Sequence, residues 1–141
     1  MRPYLNTSVF VSALCDEAMT TQVLGFLHDH AKDRLLTSLW TFAEFSSAIA
    51  LKIRTGQLSA EHRSRLTTRF THLVSAQVDL IRIGDEDYQT AARFCDDWAS
   101  GLRSGDSLHL AVAARSADTI VTLDKGLHRA AQHFGIPATI P

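Results

Sequence analysis

Two hydrophobic periods alternate along this chain, one of strand type and one of helix type. The opening stretch Arg2 to Leu14, RPYLNTSVFVSAL, contains both. Tyr4-Leu5 is a short apolar run that stops at Asn6. Thr7 and Ser8 follow, and Val9 to Leu14 is apolar again. This predicts a first strand ending at Asn6, then a helix capped by the two hydroxyl residues. Glu17 to Lys32 has helical spacing, with Val23, Leu24, Phe26, Leu27 and Ala31 gathered on one side. Arg34 to Thr37 predicts a second strand. Ser38 then caps a helix from about Leu39 to Arg54, which stops at Gly56. Ser59 caps another, about Ala60 to Ala76, with Leu66, Phe70 and Leu73 inward and Arg63, Arg65 and Arg69 toward water.

Asp79 to Ile83 alternates as a third strand does. Asp85 starts a helix that runs through Trp98 and fades at Gly101. Gly105-Asp106 opens an alanine-rich helix, Ser107 to Ser116, apolar on nearly every side and therefore central. Thr119 to Leu123 is rich in β-branched residues and predicts a buried strand ending at Asp124. Leu127 to Phe134 is helical and ends at Gly135, and Ile136 to Ile140 makes a last short strand. Strands and helices alternate, with extra helices after the second strand. That order predicts an α/β fold, a mostly parallel sheet with helices on both faces.

Composition narrows the picture. The chain has 141 residues, which suits one domain with a proper core. Hydrophobic residues make up 45% and charged residues 21%, so it is globular and not disordered. The net charge of −1 gives no global basic field. Charge is unevenly spread, however. Lys52 to His72 holds five basic residues and one acid, a local +4, against nine basic and fourteen acidic residues elsewhere. Such a segment can contact phosphates or simply be a solvated helix face. Two cysteines, Cys15 and Cys95, lie far apart with neither a disulfide framework nor zinc spacing. Without a signal-like N-terminus or a bilayer-length apolar run, a reducing cytoplasm is the expected location.

Four polar positions carry the candidate chemistry. Asn6 and Asp124 each stand where a parallel strand ends, at the edge where α/β sheets bind ligands. Asp106 lies at the start of a helix, where the helix dipole alone would favour an acid. Glu44 sits among Trp40, Thr41, Ser47, Ala48 and Leu51, apolar and small neighbours that suit a partly buried carboxylate better than an exposed one. Acids gathered at one sheet edge repel. Each like pair at ~5 Å costs roughly 3 kcal/mol at an effective dielectric of about 20, so a cluster persists only with a cation. Carboxylate oxygens without His or Cys suit Mg²⁺ or Mn²⁺. Such an ion supports phosphodiester hydrolysis.

These residues carry a resemblance. Tyr4-Leu-Asn-Thr-Ser8, Thr41-Phe-Ala-Glu44, Arg103-Ser-Gly-Asp106-Ser-Leu-His-Leu-Ala111 and Thr122-Leu-Asp124 resemble, in order and spacing, the motifs of the PIN-domain family. More closely they are similar to VapC-type toxin ribonucleases of toxin–antitoxin modules. The resemblance spans almost the whole chain and implies a PIN-like nuclease domain over residues 1–141. It implies a five-stranded sheet of order 3-2-1-4-5, with Asn6 and Asp124 neighbours at the switch point. It also implies a Mg²⁺- or Mn²⁺-dependent endoribonuclease, commonly a homodimer, with an RNA substrate and a small antitoxin protein as partners. Glu44, Asp106 and Asp124 would hold the metal with position 6. The attacking water would be metal-activated and the product would carry a 5′-phosphate.

One departure stands out: members of the family normally carry Asp where this chain has Asn6. Asparagine keeps the shape and one oxygen but loses the charge. Either this is a toxin inactivated at its first acid, or it is a naturally non-catalytic RNA- or protein-binding module on the same fold. A phospho-accepting receiver domain wants a paired acid after the first strand and an acceptor aspartate at the end of the third, and Asn6-Thr7 and Ile83-Gly84 supply neither. Among secondary candidates, Thr7, Ser8 and Thr122 can hydrogen-bond the acids or merely cap and pack. Arg103 can meet phosphate or lie on the surface. His109 reads as a packed helical histidine. His28 and His30 point apart on a helix and read as surface. Trp40, Phe42, Phe45, Phe70 and Trp98 read as core or as lining for a partner groove.

Overall fold

The computed structural model describes residues 1–141. Five parallel strands form one sheet in the order β3-β2-β1-β4-β5. They are β1 (Pro3–Leu5), β2 (Leu35–Ser38), β3 (Val78–Ile81), β4 (Thr119–Val121) and β5 (Ala138–Thr139). The helices are α1 (Thr7–Leu14), α2 (Thr20–Asp29), α3 (Trp40–Arg54), α4 (His62–Gln77), α5 (Asp85–Asp96), α6 (Ser104–Ser116) and α7 (Lys125–His133). A single 3₁₀ turn, Trp98–Ser100, joins α5 to α6.

Strand alternation divides the core in two. Tyr4 pairs with Leu36 and Ile120, and all three point to the face covered by α6 and α7. Their neighbours Leu5, Leu35 and Val121 point to the other face, where α1 to α4 pack. On that side Phe45 stacks on Phe70 with ring centroids 4.2 Å apart. Burial of this kind, at about 25 cal/mol per Å² of apolar surface, drives the assembly. Helix α6 runs centrally, with Ser107 to Ala113 buried on every side, as its composition predicts.

Several boundaries differ from the sequence expectations, for local reasons. Strand β1 stops at Leu5, and Asn6 caps α1 while Thr7 already lies inside the helix. Ser38 is the last residue of β2, not a cap; its Oγ bonds the Tyr4 hydroxyl at 2.9 Å. Helix α4 begins at His62, and Ser59 turns its hydroxyl to His62 Nδ1 instead of capping. Leu73 is only partly covered, and Val74 takes the inward position. Leu24 and Ala31 are exposed, because Val23 and Leu27, with Phe26 partly buried beside them, supply the inner stripe of α2. Strand β4 ends three residues before Asp124, which caps α7. Helix α5 stops at Asp96, where Asp97 bonds the Ala99 N–H and turns the chain into the 3₁₀ turn. No helix is long and apolar enough to cross a membrane.

Candidate active site

The chain runs β1 to β3 one way from the centre and β4 to β5 the other, so the order reverses between β1 and β4. The Asn6 N–H donates to Val121 O at 2.9 Å, which ties the two strand ends together at this point. An open cleft of about 510 Å³ lies there, lined by Asn6, Thr7, Ser8, Glu44, Asp106 and Asp124, with Glu17 on its rim. All four principal candidates therefore meet in one place, Asn6 and Asp124 as the caps of α1 and α7, Glu44 from α3 and Asp106 from α6.

Each arrives by a specific local device. Asp124 is the cap of α7 and accepts the Leu127 N–H on Oδ1 at 2.9 Å, which leaves its second oxygen free. Asp106 sits in the first turn of α6. Glu44 projects from the second turn of α3 beside Gly105, where a Cβ would come within 3.2 Å of Glu44 Oε2. The absence of a side chain at Gly105 lets α6 approach that carboxylate.

A buried polar chain holds Glu44. Its Oε1 accepts the Thr7 hydroxyl at 2.6 Å and bonds His109 Nε2. His109, fully buried, reaches the Tyr4 hydroxyl through Nδ1 at 2.8 Å, and Tyr4 continues to Ser38. Burial alone would raise the Glu44 pKa. The His109 hydrogen bond and charge, with Thr7 and Trp40, outweigh it and hold the carboxyl below its ordinary range. Burial raises Tyr4 to about 12, so it stays a neutral phenol. Asp106 moves the opposite way. Burial raises it first, and the charges of Asp124 and Glu44 add to the rise. Mutual repulsion among these three carboxylates is thus a feature of the folded chain.

Asn6 is only 4% exposed, and three donors converge on its oxygen. Ser8 N–H, Ser8 Oγ–H and Thr122 Oγ1–H reach Oδ1 at 3.2, 2.8 and 3.2 Å. A backbone N–H can only donate, so the amide orientation is set. Oδ1 serves the helix cap and takes all three of these bonds. Asp124 caps α7 in the same manner through one oxygen.

Glu44, Asp106 and Asp124 supply hard oxygens, as Mg²⁺ or Mn²⁺ requires. No three His, Cys, Asp or Glu side chains converge into a ready-made cage. The chemistry of the carboxylates suits a hard cation, but the three do not converge on one point, and the fourth position is a neutral amide whose oxygen is already engaged by Ser8 and Thr122.

Of the secondary candidates, Thr7 serves Glu44, whereas Ser8 and Thr122 serve Asn6. Arg103 is exposed and three residues before Asp106, outside the cleft lining. His28 is exposed, and His30 pairs with Asp33 rather than with a metal partner. His109 is packed, as its sequence context predicts, and it also positions Glu44, a role the sequence reading does not include. The signal was available: His109 follows Asp106 by three residues and so shares its helix face. Tyr4 and Glu17 gave no such signal.

A reversal-point cleft lined by three carboxylates defines an α/β protein of acidic-site type. The family model of the PIN domain matches residues 4–132, and the chain belongs to the PIN-domain family. Solved structures agree in fold. VapBC2 from Rickettsia felis, bound to a DNA fragment from their promoter, superposes with TM-score 0.73 at 14% identity over 99% of this chain and 98% of that one. The sarcin-ricin loop cleaving toxin VapC20 of Mycobacterium tuberculosis gives TM-score 0.72 at 13% identity, covering 99% of each. FitAcB from Neisseria gonorrhoeae gives 0.69 at 19%, covering 96% and 95%. Comparison with curated protein sequences gives no match.

Proposed function

We propose that this fold is that of a metal-dependent endoribonuclease toxin of a type II toxin–antitoxin system, weakened in this chain by Asn6. The observation that carries the reading is the meeting of Glu44, Asp106 and Asp124 with position 6 in one cleft, close enough for Asp124 and Glu44 to raise the Asp106 pKa. Mg²⁺ or Mn²⁺ held by those three carboxylates would activate water and offset charge on the scissile phosphodiester. The chain's own groups do the rest. Thr7 and His109 keep Glu44 ionised and oriented. Asp124 keeps one oxygen for the cleft and one for its helix.

Partners follow the same reading. RNA is the substrate. A small antitoxin protein would cover the site, its apolar helix suited to the groove of about 620 Å³ lined by Leu14, Leu24, Leu27 and Leu73. A second copy would cover the exposed patch of Leu39, Leu80 and Tyr88 at the free edge of β3. A second reading, a non-catalytic RNA- or protein-binding module, is favoured by the neutral amide at position 6, whose oxygen Ser8 and Thr122 already engage. Asn6→Asp keeps the helix cap and puts a carboxylate at position 6, so it separates the two. The toxin reading expects RNA cleavage with Mg²⁺ or Mn²⁺, stopped by a chelator or by adding Asp124→Asn. Intact RNA under all these conditions would leave the binding module.

A further inference from the structure

The indole N–H of Trp40 is sealed from solvent and completes no hydrogen bond. A buried donor left in that state is costly, and buried tryptophans ordinarily find a partner for it. The ring itself is held as core, packed against Ala91, Leu108 and Ala111. It also lines the surface depression of Leu39, Leu80 and Tyr88. Phenylalanine would serve that packing as well. Packing therefore accounts for the ring and not for its nitrogen.

An acceptor stands beside it. Trp40 and Glu44 are four residues apart on α3 and share a helix face. Helical side chains lean toward the N-terminal turn, which carries Glu44 back toward Trp40. Both border the space left open at Gly105, where a Cβ would lie 3.2 Å from Glu44 Oε2 and 3.5 Å from Trp40 Nε1. The two Glu44 oxygens are unequally used. Oε1 accepts the Thr7 hydroxyl and bonds His109, and Oε2 has no such partner. A donor without an acceptor thus stands next to an oxygen without a donor. Against burial, and together with His109 and Thr7, Trp40 helps to hold the Glu44 carboxyl below its ordinary range.

We infer that Trp40 is a positioning residue for Glu44, its indole N–H serving as the donor to Oε2. A carboxylate has about four lone-pair sites. Thr7 and His109 take two at Oε1, Trp40 takes a third, and one is left for the cleft. With a donor on each oxygen, the carboxylate plane is held against rotation about its last bond, so the remaining site keeps one direction. Gly105 belongs to the same device, because a side chain there would enter the space that the two groups share. The consequence for catalysis rests on the ribonuclease reading; the hydrogen bond itself does not.

The chain has two tryptophans, so its indole N–H signals can be followed one by one in ¹H–¹⁵N spectra of the metal-free protein. Trp98→Phe assigns them, and Trp98, 90% exposed, is the internal reference. Glu44→Gln replaces a charged acceptor by a neutral one. It moves the Trp40 signal upfield and speeds its exchange with solvent about tenfold, while the Trp98 signal stays in place. A Trp40 signal and exchange rate that Glu44→Gln leaves unaltered overturn the hydrogen bond. Trp40→Phe keeps the ring and removes the donor. In the Asn6→Asp background it lowers kcat for RNA cleavage about tenfold and leaves KM within about twofold, and Gly105→Ala does the same. An unchanged kcat in Trp40→Phe overturns the positioning role. Failure of Asn6→Asp to cleave RNA overturns the ribonuclease reading, and the exchange measurement then decides the bond between Trp40 and Glu44 by itself.

Discussion

His109→Leu tests the account of the buried chain behind Glu44. The substitution removes the imidazole from between Tyr4 and Glu44 while keeping an apolar side chain of similar size. The Tyr4 hydroxyl retains Ser38 at 2.9 Å, so its loss is one neutral hydrogen bond, about 1 kcal/mol. Glu44 retains the Thr7 hydroxyl at 2.6 Å but loses its bond to His109, which at a charged group contributes about 1.5–3 kcal/mol. Leucine burial recovers roughly 1 kcal/mol. The net loss is about 1.5–3 kcal/mol, roughly 5–10 °C in Tm for a chain of this size. Its pH dependence follows from the Glu44 shift. A carboxyl held below its ordinary 4.5 contributes stability that is present above that value and lost as pH falls through the folded-state pKa. The deficit of His109→Leu is therefore full at pH 7 and shrinks on acidification below about pH 4. Thermal unfolding followed by circular dichroism at both pH values measures it. A Tm within about 1 °C of native at pH 7, or a deficit indifferent to pH, would make His109 a mere core filler.

Asp106→Asn should do the reverse. The Asp106 carboxyl is held above its ordinary 3.8, so its favourable contribution exists below that value and is lost as pH rises through the raised pKa. Neutralising it stabilises the metal-free chain at pH 7 by about 1 kcal/mol, roughly 3 °C, with no gain at pH 3.5; equal Tm shifts at both would refute the repulsion. Asp87→Ala breaks a different arrangement. Asp87 is buried, accepts the Gly84 N–H at 2.9 Å and pairs with both Arg115 nitrogens at 2.8 and 2.7 Å, which joins α5 to α6. Because Arg115 is half exposed, the loss should lie near 2–3 kcal/mol in chemical denaturation, and a loss below about 0.5 kcal/mol would contradict it.

Much of the architecture was legible because burial writes a period into the chain. Strand pairs such as Tyr4-Leu5 and Ile120-Val121 split between the two sheet faces, and the all-buried α6 announced its central place. The acidic cleft was legible for a different reason. Asn6 and Asp124 follow strands, and Glu44 lies among small neighbours, so topology and helix geometry bring them together. Caps were harder to place. Asn6, Thr7 and Ser8 are all able cap residues, and only the backbone decides which one takes the position. Ser38 is a strand residue and not a cap because its hydroxyl is claimed by Tyr4 across the sheet, a contact 34 residues away in sequence. Trp98 followed the helical spacing of α5, but Asp97 ends that helix one residue before it and turns the indole outward. The orientation of the Asn6 amide could not be read from composition at all. It depends on Thr122 and on the Ser8 N–H arriving at one oxygen.

The central claim is that a carboxylate at position 6 turns this cleft into a cation site. Calorimetric titration of Mn²⁺ into the native chain, Asn6→Asp, and Asn6→Asp with Asp124→Asn tests it most directly. Asn6→Asp should bind the ion at least about 100-fold more tightly than the native chain, and the added Asp124→Asn should erase the gain. Equal affinity in the native chain and Asn6→Asp would contradict the claim.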